Sequence, residues 1–466
     1  MENYFWSKCS FRVLIILYKK VLFLKSVSFA AMKKIVLFGA GKSAVVLISF
    51  LSKYCSENGL LLQVCDVNVE ATREKLIGLE AIEVTGADVT NAEQRGKLIQ
   101  KAEIVISLLP PSLHFLVAKD CVAFEKNLLT ASYVDESIAS LASEIKNKGL
   151  IFIAEMGLDP GIDHMSAMKL ITQLKEQHAV IKSFYSHCGG LVAPESDNNP
   201  WHYKITWNPA NVVTAGSAGA LYLQGNKQVQ IPYEKVFANK DQIVTVENIG
   251  NLAWYANRNS LPYMQTYGLE NVSDFIRTTL RYPQYCSGWN VLVQLRLTDT
   301  GDHEEIKDCK TYRDWFELKK QLYGQAIQAE LNDPRFQFQC DFLGLTSNEL
   351  IPSEIVSSAK LLQSLLEKNL VMQPHDKDMI IMKHEIRYEL AEVEKYISST
   401  LVVKGRDNIH TAMAKTVGLP LAIAATLIHE KKITTKGLHI PVVPEIYEPV
   451  LHRLKEHGIE FTEESR

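Results

Sequence analysis

Between residues 35 and 153 short apolar segments alternate with amphipathic stretches, and this alternation restricts the possible folds more than any other feature of the 466-residue sequence. Apolar runs predict strands at 35–38, 60–65, 104–109, 128–131 and 150–153. Helices are predicted between and after them, at 43–54, 69–76, 91–100, 113–125 and 137–146. Strands apolar on both faces, separated by helices, form a parallel sheet covered on both sides. The expected fold class is therefore α/β, a Rossmann-type doubly wound parallel sheet. Its ligands bind at the carboxyl ends of the strands.

The first strand-to-helix turn reads Gly39-Ala40-Gly41-Lys42-Ser43-Ala44, a G-x-G-x-x-A pattern. Gly39 permits the tight turn, and Gly41 lets the backbone approach a pyrophosphate at a helix N-terminus. Asp66 ends the second strand, where a carboxylate accepts the adenosine ribose hydroxyls. It repels a 2′-phosphate, and no Arg follows within 67–70, so the sequence leans to NAD over NADP. Asp88, in Gly86-Ala87-Asp88-Val89, borders the adenine or holds a turn. Lys42-Ser43 copies the tail of a phosphate-binding P-loop, but Val36 stands where its first glycine belongs, so phosphoryl transfer is unsupported.

A net charge of −3 argues against nucleic acid, whose binders carry a basic face. None of the eight cysteines forms a C-x-x-C pair and there is no H-E-x-x-H, so no metal is predicted. No uninterrupted apolar run reaches 18 residues, so no membrane span is expected either. Residues 1–31 hold five basic side chains against one acid. They read as an overextended start ahead of Met32, giving a cytoplasmic protein, or as a basic, acid-poor transit peptide, giving a mitochondrial one.

Beyond the sheet the sequence becomes more specific. It carries Thr130-Ala131-Ser132-Tyr133, then Glu155-Met156-Gly157-Leu158-Asp159-Pro160-Gly161-Ile162-Asp163-His164. Cys188-Gly189-Gly190-Leu191, Tyr203-Lys204-Ile205-Thr206-Trp207, Asn257-Arg258-Asn259-Ser260 and Leu280-Arg281-Tyr282 follow. Together these resemble the glutamate-forming saccharopine dehydrogenases, or saccharopine reductases, of lysine metabolism. The resemblance runs over essentially all of 32–458.

What the resemblance implies is interconversion of saccharopine with glutamate and 2-aminoadipate 6-semialdehyde, using NAD or NADP. It implies a dinucleotide domain over 32–156 and an α/β substrate and dimerisation domain over 157–406. The acid- and Leu-rich stretch at about 314–367 suits the family's helical insertion, and 407–466 would return to the first domain. Gly39, Ala40, Gly41, Lys42, Ser43, Asp66, Asp88, Leu108, Gly157, Leu158, Asp159 and Trp207 would surround the nucleotide. Ser132, Tyr133, Asp159, Arg258, Thr279, Leu280 and Arg281 would meet the substrate. Asp159, Tyr133 and Cys188 are the candidates for catalysis.

The residue chemistry agrees with a ligand bearing three carboxylates around a secondary amine, because guanidinium forks bind carboxylates bidentately. Arg258 and Arg281 are the arginines chosen for that task. His164 also reads as a hydrogen-bonded structural residue. Two other functions stay open: a dehydrogenase for another carboxylated secondary amine such as carboxynorspermidine, and a silent NAD(P)-binding sensor or scaffold. A homodimer is the default assembly.

Overall fold

The computed structural model describes residues 32–238 and 242–466. The segment 1–31, read above as a false start or a transit peptide, lies outside the described residues. The first part of the chain supplies β1 (Lys34–Phe38), β2 (Leu61–Asp66), β3 (Ile82–Gly86), β4 (Ala102–Ser107), β5 (Asn127–Thr130) and β6 (Ile151–Ile153). A second group comprises β7 (Val180–Val192), β8 (Ala220–Gln224), β9 (Lys227–Ile231), β10 (Ile243–Val246), β11 (Gly250–Ala256) and β12 (Arg258–Asn259). It continues with β13 (Asp274–Arg281), β14 (Asp378–Leu390) and β15 (Val393–Lys404), after which come β16 (Gly437–His439) and β17 (Thr462–Ser465).

Seven strands form a parallel sheet in the order β16-β6-β5-β4-β1-β2-β3. The doubly wound fold read from the alternation is what the chain adopts. β1 shows why: Ile35 and Leu37 bury into one core and Val36 and Phe38 into another, on opposite faces of the sheet. Both faces need helices, and each buried side chain of this size contributes about 1.5–3 kcal/mol.

β3 was not among the five expected strands. It is a half-exposed edge strand whose Glu83 and Thr85 interrupt the apolar run. The helix expected at 137–146 is two short ones, Glu136–Ala139 and Ala142–Asn147.

The second sheet has ten strands, with the path β10-β11-β13-β7-β14-β15-β17 and β8, β9 and β12 attached to β13's side. β13 and β7 run parallel, whereas β14 is antiparallel to both β7 and β15. Its helical companion is wider than the acid- and Leu-rich stretch suggested. Helix Pro283–Gln294 shares one core with Tyr312–Tyr323, Pro334–Leu343 and Ser358–Asn369, through Tyr285, Trp289, Trp315, Phe336 and Leu362. The early helix is apolar and not acidic, so composition did not mark it.

Helix Ala412–His429 joins the two sheets. It has 18 residues and a mean hydropathy of 1.4, but 78% of it is buried inside the protein. It packs against helix Val45–Asn58 and against strands of both sheets. Asp378 of β14 receives the N–H groups of Ala412 and Met413 at 2.6 and 2.9 Å, capping the helix start from the second sheet.

Candidate active site

The glycine turn lies at the carboxyl end of β1. Gly39 has a φ of +96°, and a Cβ there would stand 2.7 Å from the Leu108 carbonyl oxygen, so only glycine allows the segments leaving the parallel neighbours β1 and β4 to lie this close. Nothing lies within 4 Å of a Cβ built on Gly41, so its backbone faces open space where a pyrophosphate would approach. Lys42 is exposed, Ser43 is half-buried and Ala40 is buried beneath them. These residues fit a dinucleotide.

A second turn at the end of β6 carries the acids. Gly157 donates its N–H to the Pro160 carbonyl at 3.0 Å, and Asp163 donates its own to Leu158 at 3.1 Å. Gly157 also packs on Ala131 at the end of β5, 3.1 Å from where its Cβ would be, and Leu158 is buried in the core. Gly161 (φ +145°) leaves no room for a side chain, and its N–H reaches Asp163 Oδ1 at 2.6 Å. Asp159 and Asp163 therefore project from one tight turn at the start of helix Ile162–Glu176.

Both acids meet a residue that the sequence reading did not select. Arg277 Nη2 donates to Asp159 Oδ1 at 2.6 Å and to Asp163 Oδ2 at 2.7 Å, and its guanidinium lies 4.4 Å over the Tyr263 ring. The signal was present in the sequence. An arginine inside a strand as buried as Asp274–Arg281 must find a carboxylate, and G-L-D-P-G-I-D offers two.

Beneath them, His164 Nε2 faces Glu155 Oε2 at 2.9 Å and Nδ1 faces the Tyr267 hydroxyl at 2.6 Å. Tyr263 also donates to Glu155, at 3.1 Å. His164 is thus fully enclosed by partners.

The electrostatics separate the two acids. Burial, and Asp163 beside it, hold the Asp159 carboxyl up near 6 against the pull of Arg277. Asp163 goes the other way: burial opposes its charge, but His164, Arg277 and the Gly161 N–H together keep it ionised. Two neighbouring carboxyls with proton affinities pushed apart are a common feature of acid–base sites.

Tyr133 and Ser132 approach from the end of β5. The Ser132 hydroxyl is hydrogen-bonded to His114 Nε2 at 2.6 Å, and burial drives that imidazole down to about 4, so it is neutral. Burial, reinforced by Asp159, pushes the Tyr133 phenol well above its usual range, so it stays protonated. Arg258 stands 5.4 Å over the Tyr133 ring. It has a φ of 53°, a left-handed conformation that costs a non-glycine residue free energy. It is exposed, and among the described residues it forms no ion pair.

On β13, Arg277, Thr279 and Arg281 share one face. Arg281 is 5% exposed, donates to the Leu280 carbonyl at 2.8 Å, and lies 5.4 and 5.5 Å over Tyr203 and Tyr285. Burial opposes its charge, and the faces of Tyr203 and Tyr285 and the Leu280 carbonyl offset that cost, so it stays protonated. Its Nε is buried with no hydrogen-bond partner among the described residues. A buried guanidinium with an orphan donor and no carboxylate suits an incoming anion.

Several expected members are placed elsewhere. Leu280 points to the opposite face of β13, into a core with Leu191, Leu252 and Ile381, so its side chain does not meet a substrate beside Arg281. Cys188 neighbours Thr279 across the β7–β13 ladder, but burial and then Asp159 and Asp163 push its thiol far above 9. It is a neutral packing group and not a base. Trp207 donates to the Tyr203 hydroxyl at 3.1 Å and packs on the helical core. Asp88 is a solvated turn acid whose Oδ1 takes the Thr90 N–H and hydroxyl at 2.8 and 2.7 Å.

Two family models match the chain: the saccharopine dehydrogenase NADP binding domain over residues 35–153 and the saccharopine dehydrogenase C-terminal domain over 157–459. The mitochondrial alpha-aminoadipic semialdehyde synthase of Rattus norvegicus is 32% identical over 459 residues, covering 94% of this chain and 48% of its own. The chain thus spans about half the length of that relative. Saccharopine dehydrogenase [NADP(+), L-glutamate-forming] of Saccharomyces cerevisiae is 29% identical over 427 residues, covering 86% of this chain and 94% of its own. The solved apo saccharopine dehydrogenase (L-Glu forming) from S. cerevisiae superposes with a TM-score of 0.83 at 27% identity, covering 93% of this chain and 100% of that one.

These findings overturn the lean to NAD: the matching domain is an NADP binding domain, and the fungal relatives are named for NADP(+). The geometry of Asp66 supplies the reason. Its Oδ2 accepts the Ala40 N–H at 2.7 Å and its Oδ1 the Asn68 N–H at 2.9 Å. The carboxylate ties the glycine turn to the loop after β2, and that structural task is independent of which dinucleotide binds.

Proposed function

Because the chain belongs to the saccharopine dehydrogenase family, an oxidoreductase family of lysine metabolism, we propose that it interconverts saccharopine with glutamate and 2-aminoadipate 6-semialdehyde using NADP. In the oxidative direction saccharopine, NADP⁺ and water give the two products, NADPH and a proton. The observation that carries this reading is the pair Arg281 and Arg258, two guanidiniums without carboxylate partners among the described residues: Arg258 lies over Tyr133, and Arg281 shares a face of β13 with Arg277, which holds Asp159. A tricarboxylate needs such groups, because a guanidinium fork binds a carboxylate bidentately.

The nicotinamide supplies hydride chemistry at the carbon beside the secondary nitrogen, and the protein supplies orientation and proton transfers. Arg281 and Arg258 hold two carboxylates and so fix the nitrogen between them. Asp159, with its carboxyl near 6, accepts the ammonium proton that must leave before hydride transfer. It returns a proton when the hydrated imine collapses, and such groups contribute roughly 10²–10⁴-fold. Tyr133 stays a phenol and acts as a fixed hydrogen-bond donor.

The test is reduced-nicotinamide absorbance with purified protein and saccharopine, offered NADP or NAD. Turnover faster with NADP is expected. A folded protein that binds NADPH but turns over no saccharopine would sink the reading. Turnover of a different carboxylated secondary amine would redirect it.

A further inference from the structure

Asp159 has an asymmetric environment. Its Oδ1 is held by Arg277 at 2.6 Å, and no hydrogen bond from the described residues reaches its Oδ2. The same Arg277 nitrogen holds Asp163, whose other oxygen is locked onto the Gly161 N–H. Arg277 is 3% exposed and pressed on Tyr263, so it cannot swing towards a ligand. One fixed cation and one fixed anion therefore meet on the same side of Asp159, and its opposite oxygen is left for the reacting nitrogen.

We propose that Arg277 and Asp163 are a positioning pair that sets when Asp159 takes up and releases the substrate proton. This rests on the reading of Asp159 as the proton-handling group of the saccharopine reaction. The step balances simply. The secondary ammonium gives its proton to Asp159 Oδ2, the carboxylate becomes a neutral acid, and the nitrogen lone pair is freed to assist hydride loss from the adjacent carbon. In the reductive direction the acid returns the proton.

Every charged or titratable group packed against Asp159 takes part in this balance. Its own segment offers Asp163 and His164, β13 offers Arg277, and β12 offers Arg258. The β5 end offers Tyr133, β7 offers Cys188, and helix Pro262–Tyr267 offers Tyr267. Burial keeps both phenols and the thiol protonated, so those three carry no charge. His164 is held by Glu155 and Tyr267 and pulls on Asp159 less than Arg277 does, and Arg258 is solvated. Arg277 and Asp163 remain as the buried charges that share contacts with Asp159. An opposite charge at such range moves a carboxyl by about 1–3 pH units, and a like charge moves it back.

The experiment titrates the aspartate carboxyls by ¹³C NMR in protein free of cofactor and substrate, with Asp159→Asn assigning the signal. The pH profile of saccharopine oxidation is measured in parallel. In the unmodified protein the midpoint is expected near 6. Asp163→Asn should lower it and Arg277→Gln should raise it, each by about 1–3 units. Arg277→Lys should restore most of the unmodified value, and the acid limb of turnover should move with the midpoint. If Arg277→Gln does not fold, Asp163→Asn and Arg277→Lys carry the test. A midpoint unmoved in Asp163→Asn, with turnover reduced, would mean a merely structural role and overturn the inference. An Asp159→Asn enzyme that keeps the unmodified acid limb would instead overturn the reading of Asp159.

Discussion

Arg281 is held by rings where most buried arginines are held by acids, so its charge is available to a ligand. Arg281→Met should raise KM for saccharopine and lower kcat/KM roughly 30-fold or more, because truncating one side of a buried charge pair costs about 2–5 kcal/mol. NADPH affinity, measured by fluorescence titration, should stay unchanged. A second residue answers to pH. Glu385 on β14 accepts from His187 at 3.1 Å and from the Tyr396 hydroxyl, and although burial works against it, these partners hold the carboxyl down to about 2. That lies below its ordinary 4.5, so the stabilisation is full above about 4.5 and drains away as pH falls towards 2. Glu385→Gln should flatten this part of the stability curve, by roughly 1–3 kcal/mol in urea unfolding. At this scale the sequence was legible where a motif fixed both residue and neighbourhood, as at Gly39 and in G-L-D-P-G. It showed Arg277 only as a buried-strand arginine in want of a carboxylate, and did not name Glu155 as the partner of His164, because nothing local says which groups the fold will bring into contact. Leu280 was misassigned for a related reason: in a strand, neighbours in sequence face opposite ways.

Among the elements, helix Ala412–His429 does most to position the glycine turn. A Cβ on Gly418 would lie 3.0 Å from the Leu47 backbone nitrogen and 3.3 Å from the Ser43 carbonyl, so the helix touches the turn at its closest point. Gly418→Ala should push Ser43 and Leu47 away, at a cost of about 1–3 kcal/mol. If the turn absorbs that strain, NADPH should bind about tenfold more weakly, since 1.4 kcal/mol is tenfold in affinity. Unchanged NADPH affinity alongside a lowered Tm would show that the strain stays within the helix packing. The central strands were readable because burial on both faces leaves an unbroken apolar run. β3 was not, since an edge strand needs only one good face. The helices around Trp289 and Trp315 pack on one another, and neither acidity nor leucine content marked where that cluster begins.

In the whole molecule the two sheets meet where their ligand-facing residues are. Tyr133 of the first and Arg258 of the second touch across the gap, and the turn carrying Asp159 lies between β6 and the second sheet's face. Such a site has no existence in either sheet alone, which is why local patterns outlined the doubly wound fold and only the motif resemblance brought the site residues together. The same closure ties the chain's late segments to its early ones. β16 pairs with β6, and helix Pro444–Glu456 buries Ile446, Tyr447 and Val450 in the core begun by β1. A chain stopped after Glu430 lacks both and should be recovered as aggregate and not as soluble protein, scored by sedimentation after expression. For a ribosome the pairing has a temporal meaning. β6 is made 286 residues before its partner strand, Ile151 pairing with Gly437. At about 5–20 residues per second that edge waits on the order of tens of seconds, so the nascent chain must be kept from pairing with a stranger while the edge's own partner strand is still being written.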